Sequence, residues 1–195
     1  QRRQFLRQVH GRRLWRSAAP MNARRQAPTL RTQRRTVLIV GEGDAEVAFL
    51  KHLRSVFVGR AAGVTVKIGN AHGKGAQNVI DHTRKQADVY AFDRVAALFD
   101  TDTDWTPEVE KQARNANIIV LPCTPCLETE LLRLKDQPAP ERTADAKRTF
   151  QKIFGAEAHR SDLYPHYFPQ AMLEKLVATQ PERLLARIVA LMRAA

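Results

Sequence analysis

Three short acidic segments carry the residue types that can do chemistry. Glu42 stands between Gly41 and Gly43, where the backbone can turn tightly and present a carboxylate. Asp100, Asp102 and Asp104 alternate with Thr101 and Thr103, and Glu128 closes a Pro125-Cys126-Leu127-Glu128 segment. Carboxylates spaced two apart in a partly buried crevice repel one another unless a cation sits among them. Mg²⁺ suits that position, because it takes hard oxygen ligands, keeps several waters and needs only one or two carboxylates besides phosphate oxygens. Held there, it can orient a water and neutralise charge on a phosphate, which is the chemistry of phosphodiester hydrolysis or transesterification. The bland alternative is a solvated loop capping the following helix, and Asp104, nearest to Thr106-Pro107, fits it best.

Each acidic segment follows a run that reads as a buried strand. Residues 36–40 are apolar or β-branched without alternation, the pattern of a strand covered on both faces. After the turn at 41–43, Asp44 can cap a helix with Val47, Leu50, Leu53 and Phe57 at helical spacing and Gly59 at its end. A second strand at 64–68 leads through Gly73-Lys74-Gly75 into a helix with Ala76, Val79, Ile80, Thr83 and Ala87 on one side. A third strand at 95–99 runs straight into Asp100, and Thr106-Pro107 supplies the next helix start. A fourth at 118–121 is expected to stop at Pro122. Strands alternating with helices predict an α/β fold, a mainly parallel sheet flanked by helices with right-handed crossovers. In such folds ligands bind at the carboxyl ends of the strands, so Glu42, Asp100, Asp102 and Glu128 are expected to converge on one crevice. Beyond residue 135 the pattern becomes helical, over 142–154, over 169–177, and in a last helix with Pro181 in its first turn. Its stripe is Leu184, Leu185, Ile188, Leu191 and Met192. Residues 36–135 are thus read as the α/β domain and 136–195 as its C-terminal helical appendage.

The order of these motifs resembles a known family. Val40-Gly41-Glu42-Gly43-Asp44-Ala45-Glu46 after the first strand and Phe99-Asp100-Thr101-Asp102 after the third match the Glu-Gly and Asp-x-Asp motifs of the Toprim superfamily. Pro125-Cys126-Leu127-Glu128 after the fourth is similar to the Pro-Cys-aromatic-Glu segment of its RloB-like branch, with Leu127 in place of the aromatic residue and Ala45 in place of a hydroxyl residue. The resemblance implies a Toprim/Rossmann-like sheet and a Mg²⁺-dependent nuclease, Mn²⁺ being a substitute metal, in a group associated with bacterial defence. By position, Glu42 would be the general acid/base or a metal ligand, and Asp100 and Asp102 would bind the metal. Glu46 falls on a second acidic position of the Glu-Gly motif and Glu128 on the acidic position after Pro-Cys. Two other functions stay open: a phosphatase in which Asp100 is the nucleophile, and an inactive Toprim-like module that only binds nucleic acid or a partner protein.

Weaker groups complete the inventory. The loop 70–75 offers backbone amides of Gly73 and Gly75 and the Lys74 cation at a helix start, a phosphate cradle by type, although it lacks P-loop spacing. Cys123 and Cys126 form a Cys-x-x-Cys pair two ligands short of a zinc ribbon, and read as ordinary reduced thiols, Cys126 helping to start a helix. His159 and His166 lie among Tyr164, Tyr167 and Phe168, which predicts a packed aromatic corner rather than a metal site.

Charge is distributed unevenly. Of 32 basic side chains eleven are Arg within residues 1–35, which hold no Asp or Glu; the rest of the chain balances 21 basic against 20 acidic groups. The net charge of +12 therefore belongs to an N-terminal arm, expected to be mobile and able to neutralise phosphates, and not to the folded body. Met21 is the first methionine, so residues 1–20 are read as an upstream segment that need not be native. No signal-like apolar stretch and no run of about 18 apolar residues occurs, which favours a cytoplasmic protein without a membrane partner. The partner expected is nucleic acid, DNA or RNA alike, with a homo-oligomer or a defence-system protein as further candidates.

Overall fold

Residues 36–40 carry no polar alternation because their strand is covered on both faces. A computed structural model describes residues 34–59 and 63–193, so residues 1–33 of the basic arm, with the Met21 start, fall outside the described residues, while Arg35 belongs to the first strand and not to the arm. The strands are β1 (Arg35–Gly41), β2 (Val64–Asn70), β3 (Arg94–Asp100) and β4 (Ile119–Cys123). They form one all-parallel sheet in the order β2-β1-β3-β4. The first four helices are α1 (Asp44–Phe57), α2 (Gly75–Val89), α3 (Pro107–Asn115) and α4 (Leu127–Leu134). Four more follow: α5 (Thr143–Phe154), α6 (Leu163–Tyr167), α7 (Gln170–Thr179) and α8 (Leu184–Arg193). This is the α/β architecture that the alternating pattern predicts, with helices on both faces of the sheet.

Alternate residues of one strand feed two different cores. Val37 and Ile39 of β1 and Ala96 and Leu98 of β3 pack with α1 and α4 to α8, whereas Leu38, Val40, Ala97 and Phe99 pack with α2 and α3. Burial of a Val, Leu, Ile or Phe side chain is worth about 1.5–3 kcal/mol, so the two central strands tie both layers together. Helices 143–193 share the first core through Phe150, Phe154, Tyr164, Leu185 and Ile188. The aromatic corner is present: Tyr164 stacks near Phe49 and Phe168 at 5.7 and 5.9 Å, and its buried hydroxyl donates to the Ala158 carbonyl at 2.7 Å.

Several boundaries differ from the sequence expectation for physical reasons. Pro122 does not stop β4 but lies inside it, opposite Phe99. That is tolerated because β4 is an edge strand, where a missing amide donor leaves no ladder bond unmade. Asp44 is the first helical residue of α1 and not its cap, which is Gly43; the Asp44 carboxylate accepts from the Asn70 side chain at 2.8 Å instead. Pro181 precedes α8 in a turn, and the short α6 carries no periodic signal of its own. Among the described residues, no helix is long and apolar enough to cross a membrane.

Candidate metal centre

The sheet's strand order reverses direction between β1 and β3, the position at which open α/β sheets bind ligands. Asp100 is the last residue of β3, opposite Cys123 of β4, and Glu42 follows β1 directly. The Glu42 amide donates to the Leu98 carbonyl at 2.9 Å, extending the β1–β3 ladder to Glu42 itself. Gly41 makes the close approach of α1 possible, since a Cβ there would lie 2.8 Å from the Cβ of Glu46. Gly43 has a φ of −144°, extended backbone open to any residue, so only the first of the two glycines beside Glu42 is required by packing.

Helix N-termini hold the carboxylates in place. The Leu127 amide at the start of α4 donates to Asp100 Oδ1 at 2.9 Å, and the Gly43 amide donates to Glu46 Oε2 at 2.8 Å. Glu42 accepts from the Asp100 amide at 3.0 Å through Oε2 and from the Gly75 amide at 3.3 Å through Oε1. Free amides and the helix dipole favour negative charge at such ends. The Thr101 amide donates to both the Cys123 and Pro125 carbonyls, at 3.0 and 2.9 Å. That pair of bonds fastens the 124–126 turn to the end of β3 and carries Cys126 and Glu128 to Asp100.

The tightest group joins two of the motif acids to a cysteine. Asp100, Cys126 and Glu128 are all buried, and their ligand atoms lie within 4.8 Å of one another. Among the described residues this is the one trio of His, Cys, Asp or Glu drawn so close. Glu42, half-buried, turns its oxygens to backbone amides, Glu46 is buried beside the trio, and Asp102 is exposed at the rim. Asp100 and Glu128 close most tightly, with Cys126; Glu42 stands beside Asp100 through its bond to the Asp100 amide, as the parallel pairing of β1 and β3 requires, and Asp102 lies exposed beyond the strand end. The reason is that β3 ends at Asp100, so Asp102 has already left the sheet.

Electrostatics mark the crevice as crowded with acids. Burial pushes the Asp100 carboxyl up to about 8, and the charges of Glu46, Glu128 and Glu42 add to the effect. Burial likewise pushes Glu46 up to about 7 against the opposing Gly43 amide. Glu128 is only 7% exposed, and its carboxylate makes no hydrogen bond or ion pair among the described residues. Glu128 also lines a cleft shared with Lys147, whose charge offsets the acids in part, and a bound cation would offset the remainder. Both thiols are free; burial pushes Cys126 up to about 11 and Cys123 well above its ordinary value, which argues against either as a nucleophile.

Sequence reasoning missed Lys147. Burial opposes its charge, but Glu128, Asp100, Cys126 and Asp102 outweigh that and raise its pKa, while it bonds none of them. It lines a cleft of about 500 Å³ that opens from Glu128 between α5 and residues 157–159. Arg148 and His159 also line this cleft, each already paired, with Asp145 and Glu157 respectively. Lys147 carries no sequence signal because it lies on a helix one element beyond the last motif.

The loop 70–75 holds the crevice from the other side. His72, Gly73, Lys74 and Gly75 all have positive φ, 60°, 79°, 75° and 77°, a left-handed turn that costs about 1–2 kcal/mol at each non-glycine residue. Its amides serve the protein's own acids: Gly73 donates to the Glu42 carbonyl at 2.7 Å and Gly75 to the Glu42 carboxylate. The amides of Ala76 and Gln77 donate to Asp104 at 2.6 and 3.2 Å. The phosphate cradle expected here is therefore filled from within, and Lys74, exposed, is the member left facing solvent. Asp104 is a cap, as expected, but of α2 and not of α3, whose own cap is Thr106.

Compared with family models, with curated proteins and with solved structures, the chain finds no match in any of the three.

Proposed function

We propose that this chain is a Mg²⁺-dependent enzyme that cleaves phosphodiester bonds of nucleic acid, with a Toprim-type carboxylate site. The observation that carries the proposal is Glu128, buried and without a bonded partner beside Asp100 at the sheet's switch point, in a crevice of several acids that Lys147 faces without bonding any of them. Asp100 and Glu128 would hold the metal, with Glu42, Glu46 and Asp102 at its margins; Mn²⁺ has the same ligand preference and would substitute. When bound, the metal supplies charge neutralisation at a phosphate and a more acidic water.

The chain's own residues supply the rest. Glu46, near neutral in proton affinity, is suited to hold or release a proton at its carboxyl oxygen, a role that the motif alone would give to Glu42. Glu42 instead holds the ends of β3 and α2 in register through its two backbone bonds. Lys147 at the mouth of the cleft, unpaired and drawn by the acids, is placed to meet a phosphate entering from solvent. The near-neutral body leaves strand affinity to this rim and to the Arg-rich residues 1–35. Two free, buried thiols suit a reducing cytoplasm.

The test is incubation of the protein with plasmid, single-stranded DNA and tRNA in Mg²⁺, Mn²⁺ or EDTA. Cleavage of at least one substrate with either metal and none in EDTA is expected. Binding without cleavage in every arm would turn the assignment to an inactive nucleic-acid module.

A further inference from the structure

The sulfur in the buried trio changes which cation the crevice prefers. Cys126 is fully buried at the head of α4, and its Sγ is hydrogen-bonded to Thr129, whose hydroxyl lies at 3.4 Å. Its ligand atom, one from Asp100 and one from Glu128 lie within 4.8 Å of one another. Glu128, 7% exposed as a residue, makes no hydrogen bond or ion pair among the described residues, has a carboxylate oxygen close to the other two ligand atoms, and feels Lys147 only across the cleft. Mg²⁺ is satisfied by oxygen alone, whereas Zn²⁺ accepts thiolate and carboxylate together. Tetrahedral zinc holds such ligands at about 2.0–2.3 Å, which spaces them roughly 3.6 Å apart, so modest side-chain shifts close the trio on one ion.

We infer that Asp100, Cys126 and Glu128 form a binding site for one thiophilic divalent cation of the Zn²⁺ class, which takes it more tightly than Mg²⁺. Three protein ligands leave the fourth position to water, so the site is exchangeable and not a structural zinc of the four-cysteine kind. As the metal–sulfur bond forms, the thiol proton of Cys126 leaves to solvent. Because Asp100 and Glu128 also belong to the proposed Mg²⁺ site, the two cations compete. The inference concerns metal identity and stands whether or not the chain cleaves nucleic acid.

The test is titration of the full chain with Cd²⁺, a spectroscopic stand-in for Zn²⁺, followed through the ultraviolet thiolate-to-metal charge-transfer band. The wild type should show the band saturating at one equivalent, with Zn²⁺ displacing Cd²⁺ and Mg²⁺ failing to displace it at tenfold excess. Cys126→Ser should lose the band and Cys123→Ser should keep it. Glu128→Gln should weaken Cd²⁺ at least tenfold, a result readable even if the Cys126 variant does not fold. Absence of the band in the wild type, its survival in Cys126→Ser, or unchanged affinity in Glu128→Gln would each overturn the inference. Mg²⁺-dependent cleavage by a wild type that shows no band would remove this inference alone and leave the phosphodiester proposal intact.

Discussion

Under the proposed function Asp100 would hold the metal, and its substitution separates metal binding from folding. Asp100→Asn keeps an oxygen for the Leu127 amide but removes the carboxyl that must lose its proton among Glu42, Glu46 and Glu128 before it can take a metal. Metal-dependent cleavage should fall at least about a hundredfold, while stability in EDTA stays level or rises, because no carboxyl is left there to ionise against like charges. Wild-type cleavage by Asp100→Asn would contradict the assignment. The acids themselves were legible in the sequence, Glu42, Asp100 and Asp102 because they lie at or just beyond strand ends, and Glu46 and Glu128, in the first turns of α1 and α4, through the motif resemblance. Which of them meet was not legible. Spacing along the chain does not reveal that β3 stops at Asp100, that Glu42 turns to two amides, or that Cys126 faces Asp100 across the 124–126 turn. Lys147 was invisible for another reason: a lone lysine on a helix has no pattern, and only the packing of α5 on α4 brings it near the acids.

At the scale of elements, α2 depends on residues far from it in sequence. Asp104 caps its first amides from the loop after β3, and Thr103 donates its hydroxyl to the same carboxylate at 3.2 Å. Asp104→Ala should therefore lower stability by about 1–2 kcal/mol, the usual loss for a cap, and leave cation affinity unchanged. Thermal denaturation beside metal titration checks both; a loss of affinity would place Asp104 among the ligands. Gly75 has a φ of 77° and no room for a Cβ, which would collide with the Asp104 carboxylate. Gly75→Ala should cost roughly 2 kcal/mol, lowering Tm by roughly 4–8 °C in a domain of this size. The strand and helix pattern was readable because both central strands are buried on two faces and the helices are amphipathic. The left-handed turn at 72–75 was not, since His72 and Lys74 adopt a conformation their residue types disfavour, held there by bonds to Glu42 and Asn78.

For the molecule as a whole, the raised acids set a pH dependence opposite to the usual one. Asp100 has an ordinary value of 3.8 and titrates at about 8 in the fold, and Glu46 moves from 4.5 to about 7. Between those limits the native state holds protons that the unfolded chain has lost, so stability is highest near pH 4–5 and falls as pH rises toward 8. Asp93 and Asp162, exposed, and Asp145, half-buried, are shifted down, so their contribution is lost only at lower pH and does not mask the effect. In EDTA, Tm should fall by roughly 5–10 °C from pH 5.5 to 8, equivalent to roughly 2–4 kcal/mol, and Asp100→Asn should flatten the profile. A profile rising over that range would show that the acids are not crowded as described. The central claim is that this crowding exists to hold a divalent cation, and it is tested most directly by Mn²⁺ titration followed by electron paramagnetic resonance. The wild type should bind Mn²⁺ with Mg²⁺ competing for the same site, and Asp100→Asn should bind at least about tenfold more weakly, as expected for loss of a ligand. No Mn²⁺ binding by the wild type, or equal affinity in Asp100→Asn, would contradict the account.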